Sequence, residues 1–200
     1  GMVTFETTHF SKYAVAFVNK TFSDLGSVEW ARKSIEVMAS KGIINGAGTD
    51  TFSPASSITR ADYLVLLVKT LGLTADFNSN FDDVQPQAYY YEAVGIAKKL
   101  SIAEGSGNNL FNPNESITRQ DMMVLTIRAL EKFKGLMITD DTGVLDKFSD
   151  KNDIADYAVE SLKSLVKEAL ITGSGDTINP RASTTRAEAA VFLYRIYNKY

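Results

Sequence analysis

The chain has 200 residues, of which 44% are hydrophobic, so it can bury a sizeable core and is not a disordered segment. Its formal net charge of −3 argues against a nucleic-acid partner, which would require a basic face. Because the chain has no cysteine, disulfides, thiolate metal sites and cysteine nucleophiles are excluded. The best apolar run, residues 63–68, is too short for a membrane-spanning helix, so we expect no membrane partner.

Residues 1–20 form a leading segment that differs from the rest of the chain. Hydrophobic residues alternate along residues 3–18, as they do in a half-buried strand. This pattern predicts the end of a preceding β domain.

From residue 21 onward the chain repeats itself three times. A shift of 59 residues superimposes the first copy on the second without a gap, and the third copy needs one insertion and one deletion. The predicted repeats span residues 21–76, 80–134 and 148–200, joined between the second and third by a connecting loop at residues 135–147 with a short hairpin near residue 142. The recurring positions are an opening phenylalanine and aspartate (Phe22 and Asp24, Phe81 and Asp83, Phe148 and Asp150), an aromatic residue (Trp30, Tyr89, Tyr157), two glycines (Gly46 and Gly48, Gly105 and Gly107, Gly173 and Gly175) and a Thr-Arg pair (Thr59-Arg60, Thr118-Arg119, Thr185-Arg186).

Each repeat predicts two helices. The apolar residues of the first helix recur at three- and four-residue spacing, in the third copy at Ala158, Leu162, Leu165, Val166 and Ala169. The second helix begins at Thr-Arg and, over residues 63–68, is apolar nearly all round, which suits burial between neighbours. One such pair cannot bury both of its faces, so the copies should share a core in an all-α fold with a pseudo-threefold arrangement.

The start of the second helix is the strongest local signal. Thr followed three residues later by Asp or Glu is typical of a capping box, in which the hydroxyl and the carboxylate each accept from a backbone N–H. A cation at the first helical position is unfavourable beside the positive end of the helix dipole. The recurring arginine therefore indicates either an anionic ligand or an internal salt bridge to Asp24, Asp83 or Asp150.

The glycines and aromatic residues each allow two interpretations. The first glycine of each Gly-x-Gly is expected to end a helix with a positive φ, and the second could let a ligand approach the backbone. No helix begins directly after the glycines, so a nucleotide-binding loop is not expected. The aromatic residues at positions 30, 89 and 157 are expected mainly in the core, although an aromatic edge beside an anion site can stack on a sugar ring.

These features together resemble the S-layer homology family, whose repeats combine Phe-x-Asp, an aromatic helix start, Gly-x-Gly and Thr-Arg-Ala-Glu. The resemblance implies a module that anchors a secreted protein non-covalently to the cell wall of a Gram-positive bacterium, by binding a pyruvylated secondary cell-wall polysaccharide. It implies a three-pronged spindle with a central three-helix bundle, grooves between the prongs, and a monomer. The candidate ligand-binding residues are Arg60, Arg119, Arg186, Gly46, Gly105, Gly173, Gly48, Gly107, Gly175, Asp24, Asp83, Asp150, Trp30, Tyr89 and Tyr157, with the arginines expected to grip the pyruvate carboxylate.

Some positions depart from the family pattern. Glu104 precedes the first glycine of the second repeat and would repel an anionic sugar if it faces the groove. We therefore expect that groove to be the least able to bind the ligand. The third repeat has Ile178 in place of phenylalanine and Thr184 in place of isoleucine.

Two other classes of function fit the sequence less well. A calcium-dependent protein-interaction module would suit helix pairs with Asp-rich turns, but the nearest loop, residues 150–154, has Ile154 where an EF-hand loop requires an oxygen ligand. A glycoside hydrolase or peptidase is disfavoured because the single histidine, His9, lies in the leading segment and no acidic pair stands out. The sequence therefore predicts a binding module that is not an enzyme and uses no cofactor or metal.

Overall fold

The computed structural model describes residues 18–139, 141 and 143–200. Six α-helices fall in pairs that follow the repeats: α1 (Glu29–Ser40), α2 (Arg60–Leu71), α3 (Tyr91–Lys99), α4 (Arg119–Lys134), α5 (Val159–Lys167) and α6 (Arg186–Lys199). Within the described ranges, β structure is confined to isolated bridges, so the predicted all-α fold of three helical repeats is confirmed. The strand predicted for residues 3–18, with His9, lies outside the described residues except for Val18.

Backbone hydrogen bonds close the three repeats into a ring just before their second helices. The Ile58 N–H donates to the Thr184 carbonyl (2.9 Å), Thr184 donates to Ile117 (2.9 Å), and Ile117 donates to Ile58 (3.0 Å). The side chains of these three residues are almost fully buried. The ring is pseudo-threefold, and it brings the three Thr-Arg helix starts close together.

The main helix pairs join different repeats. Each first helix packs against a second helix from the repeat before it in the cycle: α1 on α6, α3 on α2, and α5 on α4. Helix α2 also contacts α4 and α6, and its Tyr63 is fully buried with a 2.5 Å hydrogen bond to the Thr126 hydroxyl of α4. Neighbours on several sides explain why residues 63–68 are apolar nearly all round. The three-pronged outline of the predicted spindle stays a prediction.

The first helices end earlier than the sequence predicted. The expected helix-ending glycines, Gly46 and its equivalents, are not the terminators, although Gly105 and Gly173 do have the predicted positive φ, +80° and +76°. The chain instead turns into the left-handed region four residues earlier, at Gly42, Ser101 and Ala169, with φ of +71°, +53° and +56°. At each end the next residue donates its N–H back to the helix, as Ile43 does to Met38, and buries an apolar side chain, which forms a Schellman motif. Ala169 therefore lies past α5 and is exposed, not on the buried stripe.

The connection at residues 135–147 is anchored to the core, not only a surface loop. Leu136, Thr139 and Leu145 are buried. The Thr139 N–H donates to the Ser164 hydroxyl of α5 (3.1 Å). Among the described residues of this segment no β-bridge forms, and the Gly143 N–H donates to the Asp141 carboxylate (3.0 Å) in a turn. Residues 140 and 142 lie outside the described residues, so the hairpin near residue 142 stays a prediction.

Candidate functional site

Three equivalent clefts lie around the ring of Thr-Arg helix starts. Cleft I, of about 370 Å³, is lined by Asn45, Gly46, Phe52, Asp62, Lys69, Tyr89 and Arg186. Cleft II, of about 530 Å³, is lined by Arg60, Glu104, Gly105, Asp121, Arg128 and Tyr157. Cleft III, also of about 530 Å³, is lined by Trp30, Arg119, Gly173, Glu188 and Arg195.

Each cleft draws residues from all three repeats. In cleft I, the glycine loop and Asp62 come from the first repeat, Tyr89 from the second and Arg186 from the third. The other two clefts follow the same cyclic rule. A single repeat therefore carries all the recurring residues but cannot assemble a cleft on its own.

A backbone carbonyl from another repeat fixes each arginine. The Nε–H of Arg186 donates to the Phe52 carbonyl at 2.9 Å, and the guanidinium lies over the Phe52 ring, 4.6 Å from its centre. The equivalent bonds, also 2.9 Å long, join Arg60 to Phe111 and Arg119 to Ile178. Because Nε is held, the remaining N–H groups of each guanidinium point in a fixed direction.

Two of the three arginines lie beside the acid of a neighbouring helix start, and among the described residues none forms a salt bridge to Asp24, Asp83 or Asp150. Arg119 pairs with Glu188 at 2.8 Å, and Arg60 lies 3.7 Å from Asp121. Arg186 makes no salt bridge within 4.0 Å to any carboxylate of the described residues. Its Nη2 group donates instead to the Asn45 carbonyl (2.9 Å). Burial lowers the pKa of Arg186, while the charges of Asp62 and Asp24 act in the opposite direction from beyond salt-bridge distance.

The three opening aspartates hold the loops that support the clefts. Asp24 accepts from the N–H groups of Phe52 and Ser53, at 2.9 and 2.7 Å, and Asp83 and Asp150 accept the equivalent pairs. Burial alone would raise the pKa of Asp24, but these N–H groups outweigh it and lower the pKa. None of the three aspartates lines clefts I, II or III. Since both Asp150 oxygens accept N–H groups, that side chain is already engaged in its own loop.

The predicted threonine caps are present, but only one capping box is complete. Thr59 accepts from the Asp62 N–H at 3.0 Å, and the equivalent bonds form in the other repeats. Glu188 alone reaches back to its threonine N–H, at 2.8 Å. Asp62 and Asp121 are one methylene shorter and do not accept the N–H of their threonines, although Asp121 accepts the Thr118 hydroxyl at 2.8 Å. Each cap therefore sets a helix start, while the shorter acids are left to act within the clefts.

The first glycines of the Gly-x-Gly loops line the clefts for a packing reason. A Cβ on Gly46 would lie 2.7 Å from the ring of Phe22, and 2.7 Å from the Thr51 carbonyl oxygen. The equivalent glycines face the opening phenylalanine of their own repeats in the same way. The second glycines (Gly48, Gly107 and Gly175) are not among the residues that line the clefts.

The recurring aromatic residues are exposed, so the prediction that they lie mainly in the core is wrong. Trp30, Tyr89 and Tyr157 are 61%, 72% and 59% exposed, and each forms one wall of a cleft. Adjacent residues such as Ala31 and Tyr90 take the inward positions instead. The aromatic faces are thereby available to a ligand.

A family model described as "S-layer homology domain" matches residues 21–64, 80–123 and 147–190 of the chain. The chain is 33% identical over its whole length to the amylopullulanase of Thermoanaerobacterium thermosulfurigenes, covering 11% of that protein. It is 33% identical to the exoglucanase XynX of Acetivibrio thermocellus over 90% of the chain and 16% of that protein. It is 30% identical to the S-layer protein sap of Bacillus anthracis over 90% of the chain and 21% of that protein.

The chain belongs to the S-layer homology domain family. Domains of this family are binding modules for cell-wall polymers, so this S-layer homology module serves cell-wall anchoring at the cell surface. It spans no more than about a fifth of the three relatives named above. In the part of the module that the structure describes, no helix is long and apolar enough to cross a membrane, and no group of three acidic or histidine side chains is placed to hold a metal ion.

Sequence reasoning missed a second cation in each cleft of the module. Lys69, Arg128 and Arg195 lie nine residues after the Thr-Arg arginines, and seven residues, about two turns, after the acids on the same helices. The regular spacing in all three repeats is the signal that could have found them. Arg128 binds Glu104 at 2.8 Å, so the doubtful carboxylate of cleft II does line the cleft but is paired.

Proposed function

We propose that the module anchors its parent protein by binding acidic, pyruvylated sugar residues of a secondary cell-wall polysaccharide, with cleft I as the principal site. The observation that carries the proposal is the state of Arg186. Its guanidinium is partly desolvated, has no carboxylate within 4.0 Å among the described residues, and lines an open cleft. A carboxylate ligand would supply the missing counter-charge.

The geometry of cleft I suits a sugar carboxylate. A guanidinium has five N–H donors, and the structure engages one at the Phe52 carbonyl and one at the Asn45 carbonyl, which leaves three. Lys69 adds a second cation, Tyr89 an exposed aromatic face, and Gly46 a backbone without a side chain. Charge-assisted hydrogen bonds and stacking on an aromatic ring are the interactions that bind an acidic carbohydrate.

The charged residues that line each cleft predict how strongly it binds an anionic ligand. Cleft I has two cations against one carboxylate, as does cleft III, but Arg119 in cleft III already pairs with Glu188. Cleft II has two cations against three carboxylates, Glu104, Glu115 and Asp121. We therefore expect binding to decrease from cleft I to the other two. Several working clefts on one wall surface would add avidity.

The test is a pull-down on purified cell-wall sacculi, before and after acid extraction of their non-peptidoglycan polymer. We expect the Arg186→Ala variant to lose roughly ten- to a hundredfold in affinity, since a charge-assisted hydrogen bond contributes about 1.5–3 kcal/mol. Replacement of Arg60, Arg119 and Arg186 together should abolish binding with the helical content intact, as judged by circular dichroism.

Arg32→Ala is the matched control, because Arg32 pairs with Glu29 on the surface of α1 and lines none of the three clefts. Binding of the triple variant equal to that of the parent chain would contradict the carboxylate mechanism. Undiminished binding to extracted sacculi would contradict the polymer as ligand.

The proposal extends to the parent protein. Because relatives more than four times as long as this chain include an amylopullulanase and an exoglucanase as well as an S-layer protein, we infer that the module is one part of a longer surface protein. The family resemblance favours a Gram-positive bacterium as its source.

A further inference from the structure

In each cleft, one carboxylate has two candidate partners. The acid lies between the Thr-Arg arginine on one side and the recurring aromatic residue on the other. The acids are Asp62 in cleft I, Asp121 in cleft II and Glu188 in cleft III. How closely this carboxylate approaches the arginine decides how far the guanidinium is left for a ligand.

The three clefts form a natural series. In cleft I, the Tyr89 hydroxyl donates to Asp62 at 2.5 Å, and Arg186 has no salt bridge within 4.0 Å among the described residues. In cleft II, the Tyr157 hydroxyl donates to Oδ1 of Asp121 at 2.7 Å. Oδ2 of the same acid accepts the Thr118 hydroxyl at 2.8 Å and makes only a long salt bridge, 3.7 Å, to Arg60.

Cleft III has Trp30, which has no hydroxyl, in the aromatic position. There Glu188 pairs with Arg119 at 2.8 Å. The arginine–acid pair is thus short only in cleft III, where no phenol competes for the acid and the acid is the longer glutamate.

We propose that the tyrosine hydroxyl of clefts I and II holds the acid away from the arginine and so keeps the guanidinium available to an anionic ligand, whereas Glu188 in cleft III occupies Arg119 as a built-in competitor. This inference rests on the proposed function and identifies the aromatic residue as a positioning residue for specificity. A ligand carboxylate in cleft III must displace the Glu188 carboxylate from Arg119. In cleft I it meets the Arg186 guanidinium, which has no salt bridge within 4.0 Å among the described residues.

The pKa shifts of the two tyrosine hydroxyls agree with this geometry. Burial, and next the hydrogen bond to Asp121, raises the pKa of Tyr157 to about 12. Burial, and next the hydrogen bond to Asp62, raises the pKa of Tyr89. Both phenols therefore stay protonated and remain donors throughout the neutral range.

The first experiment isolates cleft I by Arg60→Ala and Arg119→Ala and titrates, by calorimetry, a glycoside of pyruvylated N-acetylmannosamine, the sugar that the family resemblance implies. In that background, Tyr89→Phe releases Asp62 to pair with Arg186, and we expect about tenfold weaker binding. Adding Asp62→Asn removes the competitor, and the affinity should return to within about twofold of the background. Equal affinity of Tyr89→Phe and the background, or a failure of Asp62→Asn to restore binding, would overturn the inference.

A second measurement needs no ligand. A crystal structure of Tyr89→Phe should show the Asp62 carboxylate in a salt bridge to Arg186, and an unmoved Asp62 would overturn the inference. Failure of the parent chain itself to bind the glycoside would count against the proposed function instead, so the two failures are distinguishable.

Cleft III supplies the opposite variant. Glu188→Gln keeps an oxygen that can accept the Thr185 N–H but removes the charge that binds Arg119. With Arg60→Ala and Arg186→Ala as background, we expect binding to strengthen by about fivefold or more. Weaker binding would mean that Glu188 contacts the ligand and would contradict its role as a competitor.

Discussion

At the scale of single residues, Gly46 shows how a loop glycine can be required by packing without ending a helix. The position has no left-handed backbone, but a Cβ there would lie 2.7 Å from the Phe22 ring and from two carbonyl oxygens. Two of those three atoms belong to the backbone and cannot swing aside. The glycine thus allows the loop that lines cleft I to pack directly against Phe22.

Gly46→Ala should therefore destabilise the fold by about 1–3 kcal/mol, the typical cost of overpacking a filled site. The measurement is urea unfolding followed by circular dichroism. Gly26→Ala is the matched control, because a Cβ at Gly26 would have no atom within 4 Å and its φ is not positive. Equal stability of the two variants would refute the packing argument.

At the scale of elements, the loop between α1 and α2 depends on Asp24 for its shape. Its carboxylate accepts two consecutive N–H groups across 28 and 29 residues of sequence, and Asp83 and Asp150 do the same in their repeats. This loop also places the Phe52 carbonyl, which orients Arg186. The aspartate is thus a structural support of the cleft and not one of its walls.

The lowered pKa of Asp24 predicts how this support responds to acid. Because the pKa is lower in the folded than in the unfolded chain, the stabilisation is complete above the unfolded value, about 3.9, and is lost as pH falls through the folded value. The free energy of unfolding of the parent chain should exceed that of Asp24→Asn at pH 6, and the difference should shrink below pH 4. A difference that does not change with pH would show that the charge of Asp24 contributes nothing.

At the scale of the whole molecule, a ring of backbone bonds joins the repeats at Ile58, Ile117 and Thr184. Two members of the ring are aliphatic, and the third buries a hydroxyl that has no hydrogen-bond partner among the described residues. An unpaired polar group in an apolar site costs free energy. Thr184, which stands where the other two repeats have isoleucine, therefore lowers the stability of the central ring.

Thr184→Val should stabilise the chain by about 1 kcal/mol, since it removes the unpaired hydroxyl at nearly constant volume. Thermal unfolding measures the effect. The same substitution at Thr126, also fully buried, should destabilise, because that hydroxyl bonds both the Tyr63 hydroxyl and the Met122 carbonyl. Changes of the same sign in both variants would contradict this account.

The sequence by itself determined the repeats, which appear when the chain is shifted by 59 residues. It also determined the all-α class, the helix starts at Thr-Arg and the threonine caps, because these depend on residues three or four positions apart. It also singled out Arg60, Arg119 and Arg186. Only the tertiary structure decided which acids face these arginines, that Trp30 and its equivalents are exposed, and that every cleft needs all three repeats. The bonds that fix the arginines span 51, 59 and 134 residues, so they exist only after the repeats close into a ring, and no local pattern encodes them.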